Sequence, residues 1–367
     1  MNFRELPTPA LTIDLGILER NLERMANYCA DHGLGLRPHT KTHKTPEVAR
    51  LQLEHGAVGL TVAKVGEAEV MVPATAREQA EVLVAYPIYG AENLRRLAEL
   101  ARTRTILLSL DNETTAHELS RAASESGVSF GVLVEFNSGM QRCGIEPGPA
   151  CVELAQKVTA LPGLKFRGLM TYYGNIWGSE AERHAEARRV AERVGRALQA
   201  CKDARLPVEI VSGGSTPSAF MSDEIPGITE IRPGTYVYND LNTYYQGACT
   251  LADCAARVVT TVVSTAVPGR AMIDAGSKTL SSDSLSSGPK TGHGHVVEVP
   301  DAKLIKLNEE HGHLDITGSQ HAFQVGEVLT VIPNHVCTCV NMHDEVFLLR
   351  NGEVAGCWRV AARGKVR

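Results

Sequence analysis

The stretch TILLSLDNETTAHELSRAASESGVSFGVLVEF, residues 105–136, contains two apolar runs on either side of a segment with helical periodicity. The runs Thr105–Asp111 and Phe130–Phe136 are short and almost continuously apolar, which is typical of buried strands. Between them, Asn112–Ser126 repeats its apolar residues at the spacing of one helix face. The stretch therefore predicts a strand–helix–strand unit with two parallel strands.

The same alternation continues in both directions from this stretch. It includes helical segments such as Ile17–His32 and Glu180–Lys202, whose apolar residues recur at spacings of three and four. The other candidate strands are Ala10–Asp14, Leu34–His39, Gly59–Ala63, Val82–Tyr86, Phe166–Tyr173 and Val208–Ser212. Eight such units favour an α/β fold of the (β/α)8 TIM-like barrel type over an open doubly wound sheet, because that barrel takes about 250 residues. We therefore assign residues 1–250 to a barrel domain.

The chain changes character after about Leu251, where long helical patterns end and short apolar runs alternate with Gly, Asn and Asp clusters. The candidate strands here are Val258–Val267, Ala271–Asp274, Glu327–Ile332 and Glu345–Arg350. The dipeptide Asn351-Gly352 predicts a type I′ hairpin turn after the last of them. Residues 251–367 are therefore predicted to form a second, C-terminal β domain, with room for the first few residues of the chain to join it.

Composition excludes several classes of protein. The 367 residues include 37 Lys and Arg against 42 Asp and Glu, a net charge of −5, and no basic block. We therefore expect no nucleic-acid partner. No apolar run reaches signal-peptide length at the amino terminus or the ~18 residues of a membrane span, which predicts a cytoplasmic protein with no membrane partner. The nine cysteines are odd in number and irregularly spaced, which indicates mostly reduced thiols.

A basic cluster follows the second candidate strand, and the carboxyl ends of barrel strands line the open face of such a fold. Its sequence is Arg37-Pro38-His39-Thr40-Lys41-Thr42-His43-Lys44. A lysine that is desolvated among cations is a nucleophilic amine suited to a Schiff base. A solvated basic loop is the alternative interpretation.

Two glycine-containing loops follow later strands. Asn137–Gly144 has glycines on both sides of Arg142, whose guanidinium matches a carboxylate or a phenolate. Ser212–Pro217 is rich in small residues, which expose backbone N–H groups and form an anion cradle at the start of a helix. An ordinary surface loop is the alternative for each.

The segment Asn334–Cys339 predicts a metal site in the β domain. If it is extended, His335, Cys337 and Cys339 share one face, where an imidazole and thiolates can bind a soft divalent metal such as zinc. Two protein ligands would leave positions open for water and substrate. The alternatives are a structural zinc site that recruits His343 and cysteines that are merely buried.

Taken in order along the chain, these clusters resemble the D-serine dehydratase and D-threonine aldolase family. The motifs that carry the resemblance are Pro7-Thr8-Pro9-Ala10-Leu11, the basic cluster at 37–44, Gly139–Gly144, Gly213-Gly214 and Pro333-Asn334-His335-Val336-Cys337. These are fold-type III pyridoxal 5′-phosphate (PLP) enzymes related to alanine racemase. The resemblance covers nearly the whole chain and implies an alanine racemase-type barrel, PLP as cofactor and a homodimer.

The resemblance also implies roles for individual residues. Lys41 would be the Schiff-base lysine, with Lys44 as its neighbour. The residues implied to contact PLP are His39, Lys41, Arg142, Tyr172, Ser212, Gly213, Gly214, Ser215, Thr216, Arg232, Gly234 and Thr235. Among them, Arg142 would face the phenolic oxygen or the substrate carboxylate, Tyr172 would line the ring, and Arg232 would contact the pyridine nitrogen. His335 and Cys337 would bind zinc, or else manganese or magnesium, and Glu309 would hold a metal-bound water. Lys41, Arg142, Tyr172 and Glu309 form the implied catalytic set.

The implied activity is that of a PLP- and metal-dependent lyase acting on a small-molecule substrate, a β-hydroxy D-amino acid. Dehydratase-type members have His-x-Cys at the metal pair, whereas aldolase-type members have His-x-Asp and a further histidine where this chain has Gly178. Cys337 and Gly178 therefore favour dehydration to an α-keto acid and ammonia. The alternatives are D-threonine aldolase activity, which gives glycine and an aldehyde, amino-acid racemisation, and a non-catalytic PLP carrier. The second domain and the metal pair count against the carrier.

Overall fold

The computed structural model describes residues 1–75, 80–286, 288–289 and 292–367, and it divides the chain into two compact units. The barrel unit comprises Met25–Lys41, Pro46–Gly234 and Lys365–Arg367. The β unit comprises Met1–Arg24, Thr42–Thr45 and Thr235–Gly364. The longest segment of the β unit thus begins at Thr235, before the predicted boundary at residue 251. The unit also includes the first 24 residues of the chain. Among the described residues, no helix has both the length and the apolar character needed to cross a membrane.

The strands and helices are numbered in chain order. The strands are β1 (Ala10–Asp14), β2 (Gly35–Leu36), β3 (Gly59–Val62), β4 (Glu81–Val84), β5 (Ile106–Leu110), β6 (Phe130–Glu135), β7 (Leu164–Met170), β8 (Ile210–Gly213), β9 (Glu230–Ile231), β10 (Ala256–Ser264), β11 (Arg270–Ile273), β12 (Gly294–Val296), β13 (Lys303–Leu307), β14 (Gly312–Asp315), β15 (Val328–Pro333), β16 (Glu345–Arg350) and β17 (Glu353–Arg359). The helices are α1 (Leu15–Asp31), α2 (Pro46–Glu54), α3 (Val65–Ala74), α4 (Ala91–Ala101), α5 (Glu113–Ser126), α6 (Pro149–Ala160), α7 (Glu180–Asp203), α8 (Leu241–Tyr245), α9 (Ser277–Leu280) and α10 (Val336–Met342).

The barrel unit is built on an eight-stranded parallel sheet in the order β2-β9-β8-β7-β6-β5-β4-β3. The two edges of this sheet meet just beyond β2. There the Thr61 N–H donates to the carbonyl oxygen of Pro38, and the Thr40 N–H donates to that of Thr61, both at 2.8 Å. These bonds close the sheet into a barrel, which confirms the predicted fold class.

One of the eight predicted barrel strands was wrong. Strand β1 pairs antiparallel with β10 and parallel with β16, so it belongs to the β unit. The eighth barrel strand is β9, which is two residues long and lies between β2 and β8. The apolar pattern did not reveal β9, because one of its two residues is Glu230. The same pattern placed β1 in the wrong sheet, because an apolar run does not indicate which sheet a strand joins.

A buried ion pair lies at β9 inside the barrel unit. The Arg37 Nε donates to both carboxylate oxygens of Glu230, at 2.9 and 3.0 Å, and its Nη2 lies 3.3 Å from Glu81 Oε2. Gly59 makes room for this arginine, because a Cβ there would lie 2.1 Å from Arg37 Nη1. Since a buried charge is costly without a partner, this pairing allows Arg37 and Glu230 to lie inside.

The β unit contains a nine-stranded sheet in the order β11-β14-β13-β12-β15-β10-β1-β16-β17. Its last two strands form a hairpin in which Arg350 pairs with Glu353. Asn351 has a φ of 53° and Gly352 a φ of 78°. Positive φ at both central residues is the requirement of a type I′ turn, so the predicted turn is confirmed.

Candidate active site

Lys41 and Lys44 of the basic cluster have different environments. Lys41 is exposed, and its backbone N–H donates to Nδ1 of the buried His39 at 3.4 Å. Lys44 is buried, and its Nζ donates to the carbonyl oxygen of Ala362 at 3.5 Å. Lys41 is therefore the lysine of this pair whose amine is open to a reacting carbonyl.

The loop after β8 has the features of an anion cradle. Gly214 has a φ of 84°, and a Cβ on Gly213 would lie only 2.6 Å from Cε1 of Tyr173. The Tyr173 hydroxyl is buried beside these glycines and makes no hydrogen bond of standard geometry within the described part of the chain. Burial raises the pKa of Tyr173 to about 12, so the hydroxyl keeps its proton. A phosphate oxygen fits such a place, where close backbone and a buried donor coincide.

The other small residues of this loop bond to one another or to the next loop. The Ser215 Oγ lies 2.9 Å from the Ser218 Oγ, and the Thr216 Oγ1 accepts the Gly234 N–H at 3.2 Å. Gly234 is thereby tied to the predicted phosphate loop. The Thr235 hydroxyl lies 3.9 Å from the Cys337 Sγ, and its implied contact with PLP stays a prediction.

Ser212 and Arg232 belong to the buried network of the barrel. Arg232 Nη1 donates to the Ser212 Oγ at 2.6 Å, and its Nη2 donates to the Thr171 carbonyl oxygen at 2.8 Å. The Ser212 hydroxyl in turn donates to Glu230 Oε1 at 2.6 Å. Burial lowers the pKa of Arg232, and the carboxylate of Glu230 opposes that shift. The guanidinium is thus held in one orientation by fixed acceptors.

Arg142 and Tyr172 lie together at a small pocket of the barrel unit. The Arg142 Cζ lies 4.7 Å from the centroid of the Tyr172 ring, a cation–π geometry. The pocket is also lined by Glu135, Phe136, Asn137, Met140 and Cys143. Burial raises the pKa of Glu135, and the charges of Arg232 and Arg142 oppose the shift. Glu135 was not predicted because it lies inside an apolar strand, although a lone acidic residue in such a run was the available signal.

The predicted metal segment is helical rather than extended. Because α10 spans Val336–Met342, residues 335, 337 and 339 do not share a strand face. The Cys339 Sγ is buried and donates to the Thr279 carbonyl oxygen at 3.2 Å. The His343 Nε2 lies 3.1 Å from the same oxygen. Cys339 and His343 are thus engaged with α9, which removes the support for a structural site that includes them.

His335 and Cys337 remain together in this altered geometry. Their side chains are in hydrogen-bonding contact, and the Cys337 Sγ lies 3.1 Å from the Thr42 Oγ1. Burial lowers the pKa of His335, but the Cys337 thiolate and the Asp240 carboxylate outweigh it and raise the pKa to about 11. Across the described residues, no set of three or more His, Cys, Asp and Glu side chains is arranged for a metal. The pair offers one nitrogen and one sulfur donor, a combination that suits zinc.

Asp240 is a site residue that sequence analysis did not single out. Its carboxylate is fully buried, and Oδ2 lies 3.2 Å from His335 Nδ1 and accepts the Val336 N–H at 2.9 Å. Its Oδ1 accepts the Thr243 N–H at 2.8 Å, as the N-cap of α8. The available signal was the Asp-x-x-Thr capping pattern, which predicts a helix start but not the contact with His335.

Glu309 has a partner other than the metal pair. Its side chain is 76% exposed, and its carboxylate lies 2.8 Å from the Lys278 Nζ. The hydrogen bond with Lys278 lowers the pKa of Glu309. Within the described part of the chain, the Glu309 carboxylate pairs with Lys278 and not with His335 or Cys337, so its implied role stays a prediction.

Comparisons with known proteins identify the family. The profile of the alanine racemase N-terminal domain matches residues 13–242, and that of a serine dehydratase domain matches residues 255–349. D-threonine aldolase from Arthrobacter sp. is 32% identical over 362 residues, which covers 97% of this chain and 93% of the relative. The chain belongs to the D-serine dehydratase and D-threonine aldolase family. Membership confirms the predicted class of enzyme, a PLP-dependent lyase.

Members with different activities are equally similar to this lyase. D-threo-3-hydroxyaspartate dehydratase from Delftia sp. is 32% identical over 351 residues, covering 90% of this chain and 91% of the relative. Solved structures of a D-threo-3-hydroxyaspartate dehydratase include a histidine-to-alanine mutant and, two positions further along, a cysteine-to-alanine mutant in the metal-free form. D-threonine aldolase from Filomicrobium marinum has a crystal structure that matches with a TM-score of 0.92 and 33% identity, covering 100% of this chain and 98% of the other.

Proposed function

We propose that the protein is a PLP- and zinc-dependent dehydratase that converts a β-hydroxy D-amino acid into an α-keto acid and ammonia. The observation that carries the proposal is the contact between His335 and Cys337. The solved D-threo-3-hydroxyaspartate dehydratase mutants support it, because the mutated histidine and cysteine have the same spacing as this pair. Imidazole and thiolate donors favour zinc over the hard cations magnesium and manganese.

The residues of the barrel unit fit PLP, and different residues would bind its phosphate, contact its ring and transfer the substrate proton. Gly213, Gly214 and the buried Tyr173 hydroxyl would hold the phosphate, and Arg232 would contact the pyridine nitrogen. PLP, when bound, withdraws electrons from the Cα–H bond of an amino acid. The exposed amine of Lys41 would accept the Cα proton as a general base.

Two further groups orient and assist the substrate in this proposal. Arg142, supported by the Tyr172 ring, binds the substrate carboxylate or the phenolic oxygen. His335 and Cys337 would hold a zinc ion, which would supply Lewis acidity for the loss of hydroxide, a poor leaving group by itself. Glu309 has no part in the proposal, because its carboxylate is exposed and paired with Lys278.

D-threonine aldolase activity is the second candidate. The similarity to the Arthrobacter and Filomicrobium aldolases favours it. Gly178 counts against it, since this residue has a φ of 107° and a Cβ there would lie 2.7 Å from Glu182 Oε2. Glycine has no side chain, so the histidine that the resemblance implies for aldolases is missing at this position, and a side chain here would also be strained by the positive φ.

A product assay separates the two candidates. The PLP- and zinc-loaded protein is incubated with D-threonine and, separately, with D-threo-3-hydroxyaspartate. The dehydratase proposal predicts 2-oxobutanoate or oxaloacetate, each with an equivalent of ammonia. Predominance of glycine with acetaldehyde or glyoxylate would establish the aldolase instead. Cys337→Ala is expected to abolish turnover, and Cys339→Ala, which removes the neighbouring thiol bonded to Thr279, is the matched control that keeps it.

A further inference from the structure

We infer that Asp240 is a positioning residue that presents the Nε2 of His335 to the metal. This inference rests on the proposed function, because it presupposes that His335 is a metal ligand. The Asp240 Oδ2 lies 3.2 Å from His335 Nδ1. A carboxylate at Nδ1 holds the proton on that nitrogen, which leaves Nε2 as the nitrogen that binds metal.

The carboxylate of Asp240 is itself held from both sides. Its Oδ1 accepts the Thr243 N–H at 2.8 Å and lies 3.0 Å from the Thr243 hydroxyl. Its Oδ2 accepts the Val336 N–H at 2.9 Å in addition to facing His335. Because Asp240 is fully buried and both oxygens have fixed donors, it can hold the imidazole in one orientation before a metal arrives.

Asp240 also accepts hydrogen bonds at the N-termini of two helices, one of which begins directly after His335. Asp240 is the N-cap of α8, and its Oδ2 also takes up the first N–H of α10, where the N-cap residue His335 makes no side-chain cap. The His335 side chain is therefore free of the capping role that its position would otherwise impose. Asp240 performs that role from a distant part of the sequence and leaves the imidazole for the metal.

The test is the zinc affinity of the PLP-loaded protein, measured by competition with a chromophoric chelator and independent of turnover. Asp240→Asn keeps the size of the side chain and remains a good N-cap, but its amide cannot accept hydrogen bonds at both ends. We expect zinc to bind about 10–100-fold more weakly, the usual effect of losing such a partner. In cobalt(II)-loaded protein, the thiolate-to-cobalt absorption from Cys337 should change in the same variant.

The matched control is Asp283→Asn. The Asp283 Oδ2 accepts a hydrogen bond from the Thr338 hydroxyl of the same helix α10 at 2.9 Å, rather than from the His335 imidazole. The Asp283→Asn variant should bind zinc with unchanged affinity. Equal weakening by both variants, or wild-type affinity in Asp240→Asn, would overturn the inference. If Asp240→Asn does not fold, Thr243→Val loosens the carboxylate without touching His335, and wild-type affinity in that variant would count against it equally.

The outcomes also distinguish this inference from the proposed function. Wild-type protein that binds no zinc would contradict the proposed metal site and the inference with it. Wild-type protein that binds zinc with the same affinity as Asp240→Asn would contradict the role of Asp240 alone.

Discussion

At the scale of single residues, the site depends on which of several identical side chains is exposed. Lys41 and Lys44 lie three positions apart, yet one is exposed and the other is buried on the Ala362 carbonyl. Cys337 and Cys339 differ as well, because the half-buried Cys337 thiol contacts the His335 side chain, whereas the buried Cys339 thiol bonds to the Thr279 carbonyl oxygen. Residue type and spacing alone therefore indicated candidates, and burial separated them.

Borohydride reduction should attach PLP to Lys41. The exposed amine of Lys41 can reach a carbonyl, whereas the Lys44 amine is engaged in a buried hydrogen bond. Peptide mapping by mass spectrometry after reduction identifies the modified lysine. Lys41→Ala should lose the visible absorbance of bound cofactor, and Lys44→Ala is the control that should retain it. An adduct on Lys44 or Lys64 would refute the assignment.

At the scale of elements, helices with regular periodicity were predicted well. The predicted segments Asn112–Ser126 and Glu180–Lys202 correspond to α5 and α7, and Asn112 caps the first of these by accepting the Thr115 N–H. Helix α10 was missed because it is short and its start is capped by Asp240 rather than by a local side chain. Local pattern therefore predicts an element only where the element is stabilised locally.

Replacing either of two glycines in the α7 region with alanine should change the free energy of unfolding, and the two changes should have opposite signs. Gly178, just before α7, has a φ of 107° and a close Glu182 carboxylate, so Gly178→Ala should reduce the free energy of unfolding by about 1 kcal/mol or more. Gly195 lies inside α7 with nothing within 4 Å of an added Cβ. Gly195→Ala should therefore increase stability by about 0.5–1 kcal/mol. Urea unfolding of both variants measures these free energies. A change in the same direction for both would contradict the argument from backbone conformation.

At the scale of the whole molecule, the predicted metal pair lies in a β unit that has its own sheet and hydrophobic cluster. Its sheet is continuous through nine strands, and a hydrophobic cluster of Leu241, Cys254, Leu285 and Ile332 packs within the same unit. The contacts of Asp240 with His335 and Val336 are protein–protein hydrogen bonds. We therefore expect the proposed zinc to be catalytic rather than structural.

Removal of metal should abolish turnover and leave the fold intact. Treatment with EDTA is expected to eliminate product formation, while the circular dichroism spectrum, the melting temperature and the absorbance of bound PLP change little. Readdition of zinc should restore activity. A large fall in melting temperature on chelation would support a structural metal instead, because binding free energy then contributes directly to folding.

The sequence by itself determined the fold class, the hairpin at Asn351-Gly352, the family and the motifs from which the candidate site is drawn. These properties are encoded in periodicity, turn chemistry and short motifs, each spanning a few residues. Only the tertiary structure decided that β1 joins the β unit, that β9 completes the barrel and that Asp240 contacts His335 from 95 positions away. Those outcomes depend on packing and on hydrogen bonds between distant segments, because a buried polar group takes whichever partner the fold brings to it, and local sequence carries no record of that partner.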